Sequence, residues 1–319
     1  MIFTFEKYLK SRDNVICVDA NFPAKLQISH WPDHSTPDEL FADTSTEMAF
    51  KLIESEKKYE YLKGINVVSN NHYDSDGVIA AFVLIDPHFA SANKQALINV
   101  ALTSDFYEFT TEDALKADVV LTNLIDKEKS LFKELIKNEP FPNAAQLIYE
   151  KAFQLLPKLI QNIDDYEEQW KDDFEWHQKS ENSFANQQSV FSDYGDIKLS
   201  VIESDFKIHP VVKVTHAKFD IILSSIRRAE GRMYELTYKP YTWHSTTRQD
   251  QVERKSFESL VQNLNQIEMN NNGKWKVLGK DPVSEWNYKL HFSNEKFELI
   301  PSKLEVFELE NILFDYFFE

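Results

Sequence analysis

The first half of the chain alternates short hydrophobic runs with polar segments, a pattern that predicts alternating strands and helices. The start of one helix can be predicted, because Thr44 and Glu47 fit a capping box ahead of apolar residues at helical spacing. Further helices, interrupted by prolines, are expected between 112 and 177. The predicted strands are 14–19, 26–31 and 65–68, and the predicted helices with bounds are 44–59, 78–85 and 96–102.

The pattern changes after a polar segment at 180–195. Short strand-like runs dominate from there, and they predict an α+β arrangement. The strands are placed at 198–203, 211–215, 219–223, 233–238, 275–278 and 289–292, with one amphipathic helix at 255–267. We therefore predict an α/β protein in which an N-terminal α/β domain, 1–190, has a mainly parallel sheet with helices and a smaller α+β domain, 191–319, follows it.

The composition predicts an ordered protein with an acidic surface. The 319 residues are 42% hydrophobic and 13% aromatic, enough for a sizeable core. A formal charge of −17 creates a negative field that argues against long nucleic acids and anionic membranes as partners. A small phosphorylated molecule stays a candidate partner, because a bound divalent cation can reverse the local sign. Nothing in the composition predicts an oligomeric state.

Cysteine content and hydropathy predict a protein of the reducing cytoplasm. Cys17 is the only cysteine, so an intrachain disulfide or a cysteine-based zinc site cannot form. The first fourteen residues carry charges where a signal peptide needs an apolar core, and no run approaches the roughly 20 apolar residues of a membrane span.

The most distinctive stretch is the junction between the predicted strand 65–68 and the helix that follows it. His72, Asp74 and Asp76 leave the strand at alternate positions, so they can converge on one face. Two carboxylates and an imidazole suit Mn²⁺ or Mg²⁺, and Gly77 lets the backbone approach. A structural interpretation is also open, with Asp76 as a helix cap, Asp74 in a turn and His72 on the surface.

The string HYDSDGVIAA, residues 72–81, resembles the first motif of the DHH phosphoesterase superfamily of RecJ-type nucleases, exopolyphosphatases and cyclic-dinucleotide phosphodiesterases. There (D/H)xDxDG supplies manganese ligands, so the resemblance implies that Asp74 and Asp76 are metal ligands with His72 beside them. The Asp-His-His triplet of the superfamily's name does not occur in this sequence. Asp105 is a candidate for the superfamily's later Asp, or it is a residue at a helix terminus.

A broader resemblance covers most of the chain. The segment VDANFPAKLQISHWPDHSTPDELFADTSTE, followed by NNHYDSDG, TSDFYEF and YELTYKPYTW, is similar to a bacterial domain-of-unknown-function family. This resemblance implies a cytoplasmic bacterial protein in which SHWP and NHxDxDG are signature pieces, and it implies no particular activity.

Other residues are candidates on weaker patterns. His30 follows a predicted strand and could be an acid or a metal ligand, or a histidine packed beside Trp31. Asp19 could join the metal site if its strand lies parallel beside the central one, and otherwise it is a turn residue. The arginines of the second half could clamp a phosphate or offset surplus carboxylates; they are Arg227, Arg228, Arg232 and Arg248.

Two functional hypotheses follow from these patterns. In the first, Asp74 and Asp76 hold Mn²⁺ or Mg²⁺ with His72, Asp105 and Asp19 as further ligands, and the protein hydrolyses a small phosphorylated or nucleotide substrate. His72 and His30 are then the candidate catalytic residues, and no organic cofactor is expected. In the second, the protein is a non-catalytic binding or scaffold protein that retains a degenerate DHH-like core.

Overall fold

A computed structural model of the chain describes residues 1–248, 251–283, 285 and 287–318. The chain divides by contacts into two compact units. Unit 1 contains Met1–Glu175 and His244–Arg248, and unit 2 contains Trp176–Trp243 and the described residues after 250. The domain boundary that the sequence places at residue 190 stays a prediction. Within the described residues, no helix is both long and apolar enough to cross a bilayer.

Unit 1 is built on a four-stranded parallel sheet, as predicted for the first half of the chain. Its strands are β1 (Ile2–Phe3), β2 (Val15–Val18), β3 (Leu26–Ile28) and β4 (Val67–Ser69), in the order β1-β4-β2-β3. The register sets Ile16 of β2 opposite both Val68 of β4 and Leu26 of β3. All three side chains are buried, as expected of a parallel sheet covered by helices.

Helices α1–α9 follow in chain order. They are α1 (Ser45–Glu54), α2 (Lys58–Tyr61), α3 (Ser75–Ile85), α4 (Pro87–Ala92), α5 (Lys94–Phe106), α6 (Glu112–Asn123), α7 (Lys133–Ile136), α8 (Phe141–Gln161) and α9 (Glu167–Ala185). The capping box predicted for α1 is present: the Thr44 hydroxyl accepts from Glu47 N–H, and the Glu47 carboxylate accepts from Thr44 N–H.

Helix α3 is the centre of unit 1. Every residue from Ser75 to Leu84 is buried, because α3 packs against α1, α5 and the sheet. A helix that is apolar on all sides is stable only when it is enclosed in this way. The polar first turn of α3 is therefore held inside the unit, next to the sheet.

Unit 2 contains a six-stranded mixed sheet, which confirms the α+β prediction. The strands are β5 (Val190–Tyr194), β6 (Leu199–Ser204), β7 (Ile221–Arg228), β8 (Gly231–Tyr238), β9 (Lys274–Leu278) and β10 (Lys289–Ser293), in the order β5-β6-β7-β8-β10-β9. Among the strands described here, β6 and β7 are the one parallel pair. The helices are α10 (Pro210–His216), α11 (Glu258–Ile267) and α12 (Val306–Phe318).

One predicted strand of this half is wrong, because residues 211–215 belong to α10. The valine-rich run has the composition of a strand. However, Pro210 occupies the first helical turn, and the His209 ring accepts a hydrogen bond from Val211 N–H. A capped start with an N-terminal proline favours a helix, and in this segment it outweighs the β preference of the valines.

Candidate metal centre

The parallel sheet of unit 1 collects polar residues at one edge. Asp19 directly follows β2, His30 lies two residues after β3, and His72 lies three residues after β4. Since β4, β2 and β3 are adjacent and parallel, their carboxyl ends meet at this edge. Open α/β sheets place ligand sites at that position.

The backbone turns sharply at Asp19. Its φ is +49°, in the left-handed region that Asp and Asn tolerate better than most residues. Asp19 N–H still donates to Ile28 O at 2.9 Å, so the turn is fixed to β3. The side chain is fully buried, and the Ser45 hydroxyl donates to its Oδ1 at 3.2 Å.

The two oxygens of Asp19 face two different imidazoles. Asp19 Oδ1 lies 3.1 Å from His30 Nε2, and Asp19 Oδ2 lies 3.2 Å from His72 Nε2. These separations suit ion pairs, yet Asp19 Oδ2 and His30 Nε2 have no partner of hydrogen-bond geometry among the described residues. Buried polar atoms are rarely left in that condition, so a ligand is the expected partner at this point.

The other ring nitrogen of His30 is fixed. His30 Nδ1 lies 2.5 Å from the backbone oxygen of Asp43, to which it can only donate a hydrogen. In the neutral imidazole this leaves Nε2 as an acceptor, directed towards Asp19 and Asp105. A backbone carbonyl that holds one ring nitrogen in this way is the usual support of a metal-binding histidine.

Asp105 and Asp76 complete a buried group around His30. Asp105 lies near the end of α5, with Oδ2 at 3.2 Å from His30 Nε2. Asp76 lies in the first turn of α3, and its two oxygens accept from Ser45 N–H at 2.7 Å and from Thr46 N–H at 2.8 Å. One ligand atom from each member lies within 4.8 Å of the others; this inner group is Asp19, His30, Asp76 and Asp105.

A second group shares Asp19 and is more open. His72 Nε2 lies 2.7 Å from Asp74 Oδ2, and with Asp19 these residues again offer ligand atoms within 4.8 Å of one another. Asp74 also caps α3, because its Oδ1 accepts from Gly77 N–H at 2.8 Å. The side chains of His72 and Asp74 are 25% and 33% exposed, so solvent reaches this outer group.

Gly77 allows the junction to pack tightly. A Cβ at this position would lie 3.0 Å from the Tyr149 hydroxyl and 3.1 Å from Asp19 Oδ2, and closer still to the Asn70 side-chain nitrogen. The Tyr149 hydroxyl itself donates to His72 O at 3.1 Å. The glycine is therefore required by space, next to the carboxylate that the two groups share.

The pKa values of the inner group reflect crowded negative charge. Burial, followed by the charge of Asp19, raises the pKa of Asp76 to about 7. Burial, with the charge of Asp76, raises the pKa of Asp105 well above its ordinary value. Burial would also raise the pKa of Asp19, but His30 and His72 lower it well below its usual range.

The pKa values of the two imidazoles are raised as well, although burial acts on them in the opposite sense. Burial would lower the pKa of His30, but Asp105 and Asp19 raise it well above its ordinary value. For His72, Asp74 and Asp19 likewise outweigh burial and raise the pKa. Four carboxylates gathered around two imidazoles thus favour bound positive charge.

This donor set fits divalent cations. Ligands on opposite sides of an ion such as Mg²⁺ are about 4.2 Å apart, given bond lengths of about 2.1 Å. Atoms within 4.8 Å of one another need only small shifts to reach that spacing. Carboxylate oxygens with a minority of imidazole nitrogens suit Mn²⁺ and Mg²⁺ better than softer ions.

Comparison with known proteins decides the family. A family model described as "Family of unknown function (DUF6687)" matches residues 2–317. The chain belongs to this family. The predicted membership of a domain-of-unknown-function family is confirmed, whereas the resemblance of residues 72–81 to the DHH superfamily stays a prediction.

Comparison of this DUF6687 chain with curated proteins and with solved structures gives no evidence of its activity. No curated protein matches it in sequence. A solved structure, the pGpG-specific phosphodiesterase PggH from Vibrio cholerae, is 11% identical, with 95% of this chain and 83% of that chain covered at a TM-score of 0.38. A TM-score of that size is a loose backbone likeness and carries nothing about activity.

The structure of this DUF6687 chain brings six predicted site residues together at one sheet edge: Asp19, His30, His72, Asp74, Asp76 and Asp105. The structural alternative for this junction was wrong in its assignment of the cap, because Asp74 and not Asp76 caps α3, and Asp76 is buried. Asp105 does lie near a helix end, as its alternative predicted. Three of the predicted arginines lie in unit 2, where Arg227 and Arg232 contact Asp205 and Glu203.

One residue of the cluster was missed from the sequence. His244 offers a ring nitrogen within 4.8 Å of the ligand atoms of His30 and Asp105. The segment YELTYKPYTW, which carries part of the family resemblance, stops one residue before it. No local pattern around His244 marks it as a site residue.

Proposed function

We propose that this protein is a metal-dependent phosphoesterase that binds two divalent cations, Mn²⁺ or Mg²⁺, and hydrolyses a small phosphorylated or nucleotide substrate. The observation that carries this proposal is the position of Asp19, whose two oxygens face the imidazoles of two separate ligand groups. A carboxylate shared in this way would hold two cations near one another, and paired cations of this kind support in-line displacement at phosphorus.

The residues divide into an inner and an outer position. Asp19, His30, Asp76 and Asp105 would hold the inner cation, and Asp19, His72 and Asp74 the outer one. When bound, the cations neutralise charge on a phosphoryl oxygen and lower the pKa of water. Asp19, His30 and Asp76 are fully buried and the Asp105 side chain is 7% exposed, so these residues would hold and orient the cation. His72 and Asp74 are the partly exposed members, which makes them the residues that meet a substrate.

The rest of the junction keeps these groups in place. Ser45 N–H and Thr46 N–H bond both oxygens of Asp76, and the N-terminus of α1 favours the ionised carboxylate. Asp43 O fixes the tautomer of His30, as described above. A small anionic substrate fits a protein of charge −17 only if bound cations reverse the sign locally.

We also propose that the protein works in the reducing cytoplasm. Cys17 is the single cysteine, and burial raises its pKa to about 12. Such a thiol has no reactive role at neutral pH, and a chain without a second cysteine gains nothing from an oxidising compartment.

A scaffold function is the second candidate, and one observation favours it. Asp74 caps α3 and Asp76 bonds the N-terminus of α1, so both carboxylates have structural tasks without a metal. In that case Asp74→Asn plus Asp76→Asn would alter stability by roughly 0.5–2 kcal/mol, the range of a lost cap, and would change no ligand binding.

Metal content and hydrolysis distinguish the two candidates. We expect the wild-type protein to bind Mn²⁺ and to hydrolyse a phosphate mono- or diester, and Asp74→Asn plus Asp76→Asn to lose both. The matched control is Asp113→Asn plus Asp172→Asn, which removes two exposed carboxylates. A wild-type protein that takes up no Mn²⁺ on soaking contradicts the metal centre. Metal binding without hydrolysis of any tested mono-, di- or dinucleotide phosphate contradicts the phosphoesterase activity, and a double variant that binds Mn²⁺ and other ligands as the wild type does supports the scaffold.

A further inference from the structure

Residues 244–248, here called the HSTTR segment, belong to unit 1 although their neighbours in sequence belong to unit 2. Hydrogen bonds from Ser245, Thr247 and Arg248 hold the segment. Ser245 N–H donates to His30 O at 2.8 Å, and Thr247 donates from both N–H and Oγ1 to Asp43 Oδ1 at 2.7 Å. Arg248 Nε donates to Asp43 Oδ2 at 3.2 Å. So many bonds to one short segment indicate a defined position beside His30.

Asp43 links this segment to the inner group. Its carboxylate accepts from Thr247 and Arg248, while its backbone oxygen accepts from His30 Nδ1. Arg248 also pairs with Glu108 at 2.6 Å and lies over the Phe106 ring at 4.8 Å. The residue that orients His30 therefore also holds the HSTTR segment, and a change in one is transmitted to the other.

His244 is placed against the inner group by this anchoring. Its ring centroid lies 4.1 Å from that of His30, with 33° between the ring planes. A ring nitrogen of His244 lies within 4.8 Å of the ligand atoms of His30 and Asp105, which both belong to the inner group. Simple ring packing does not require a His244 nitrogen to lie within 4.8 Å of an imidazole nitrogen and a carboxylate oxygen that are themselves candidate ligand atoms.

We propose that His244 is a metal ligand of the inner position, and that Asp43 is a positioning residue, because its hydrogen bonds to the HSTTR segment place the His244 ring there. The proposal rests on the metal centre proposed above. His244 would add a neutral nitrogen donor beside His30 and Asp105, the two members of the inner group whose ligand atoms lie within 4.8 Å of its own. Three carboxylates with two imidazoles form a mixed oxygen and nitrogen set that suits Mn²⁺. The inner cation would then join strand ends of the parallel sheet to a segment from the second half of the sequence.

The test is Mn²⁺ affinity of the full chain, with free Mn²⁺ measured by its electron paramagnetic resonance signal. His244→Phe keeps an aromatic ring against His30 and Phe106 but removes the nitrogen. We expect it to weaken Mn²⁺ binding at the inner position at least about tenfold. This is the lower end of the loss of metal affinity when a residue that supports a metal is replaced. His88→Phe is the matched control, because His88 is exposed on α4 and belongs neither to the inner or outer group nor to the set of His30, Asp105 and His244.

The outcomes separate this inference from the proposed function. If the wild-type protein binds no Mn²⁺, both are overturned. If it binds Mn²⁺ and His244→Phe binds equally well, the role of His244 alone is overturned. Should His244→Phe fail to fold, the anomalous signal of a manganese-soaked wild-type crystal decides: an ion at about 2.0–2.3 Å from a His244 nitrogen supports the inference, and a wider separation overturns it.

Discussion

Asp19 is the side chain on which both proposed cation positions depend, whereas Asp74 serves only the outer one. We therefore expect the wild-type protein to bind two Mn²⁺ per chain, Asp74→Asn to keep one, and Asp19→Asn to lose tight binding at both positions. An amide keeps one oxygen but loses the charge that attracts the cations. Equilibrium dialysis followed by elemental analysis gives the stoichiometry. Retention of two ions by Asp19→Asn contradicts a shared carboxylate.

At the residue scale, the contiguous candidates were the easiest to name from the sequence. His72, Asp74 and Asp76 lie within five residues at a strand–helix junction, but His72 and Asp74 belong to the outer group and Asp76 to the inner one. Asp19 and His30 were candidates only because both follow predicted strands, and their meeting depends on strand order, which the sequence does not state. The place of His244 in the site could not be predicted from the sequence, because it depends on long-range hydrogen bonds between the HSTTR segment and Asp43.

At the element scale, the first turn of α3 must approach β2 closely, and Gly77 makes this possible. Gly77→Ala would usually favour a helix by about 1 kcal/mol. Here the added methyl meets Asn70, Tyr149 and Asp19, and such overpacking costs about 1–3 kcal/mol. We expect a net loss of unfolding free energy in urea, together with weaker Mn²⁺ binding.

Gly195→Ala is the matched control for this substitution. A Cβ at Gly195 would lie 3.5 Å from the Phe219 ring, which is an ordinary van der Waals contact. Its unfolding free energy should stay within about 0.5 kcal/mol of the wild type. If Gly77→Ala proves as stable as Gly195→Ala and binds Mn²⁺ normally, the close approach of α3 to Asp19 is not a requirement of the fold.

Elements with explicit end signals were the ones predicted best. The capping box of α1 is present as expected, because its two hydrogen bonds are local and do not depend on the rest of the fold. The valine-rich segment of α10 has the composition of a strand, but Pro210 in its first turn and the His209 cap make it a helix. End signals act on the backbone directly, whereas the β preference of valine depends on neighbours that a sheet must supply.

At the scale of the whole molecule, the proposed centre concentrates charge in a protein that is already acidic. Without a cation, the raised pKa values of Asp76 and Asp105 mean that the folded state holds more protons than the unfolded state from about pH 4 to at least pH 7. Unfolding free energy should therefore fall as the pH rises through this interval. His30 and His72 act in the same direction only above about pH 6.5, where the unfolded state has lost their protons and the folded state still holds them. The lowered pKa of Asp19 contributes at all pH values above about 4 and does not alter the trend.

A divalent cation should reverse this trend, because it binds the deprotonated ligands and releases their protons. We expect Mn²⁺ to raise the melting temperature more at pH 8 than at pH 5.5. At about 100 times its dissociation constant the ion adds about 2.7 kcal/mol, which corresponds to about 5–10 °C for a unit of this size. At each pH, the melting temperature in EDTA is subtracted from the melting temperature in Mn²⁺, which removes the contribution of carboxylates elsewhere. Asp19→Asn should abolish this difference in melting temperature. An equal shift at both pH values would mean that Asp76 and Asp105 do not release protons to the ion, and that the cation binds outside the inner group.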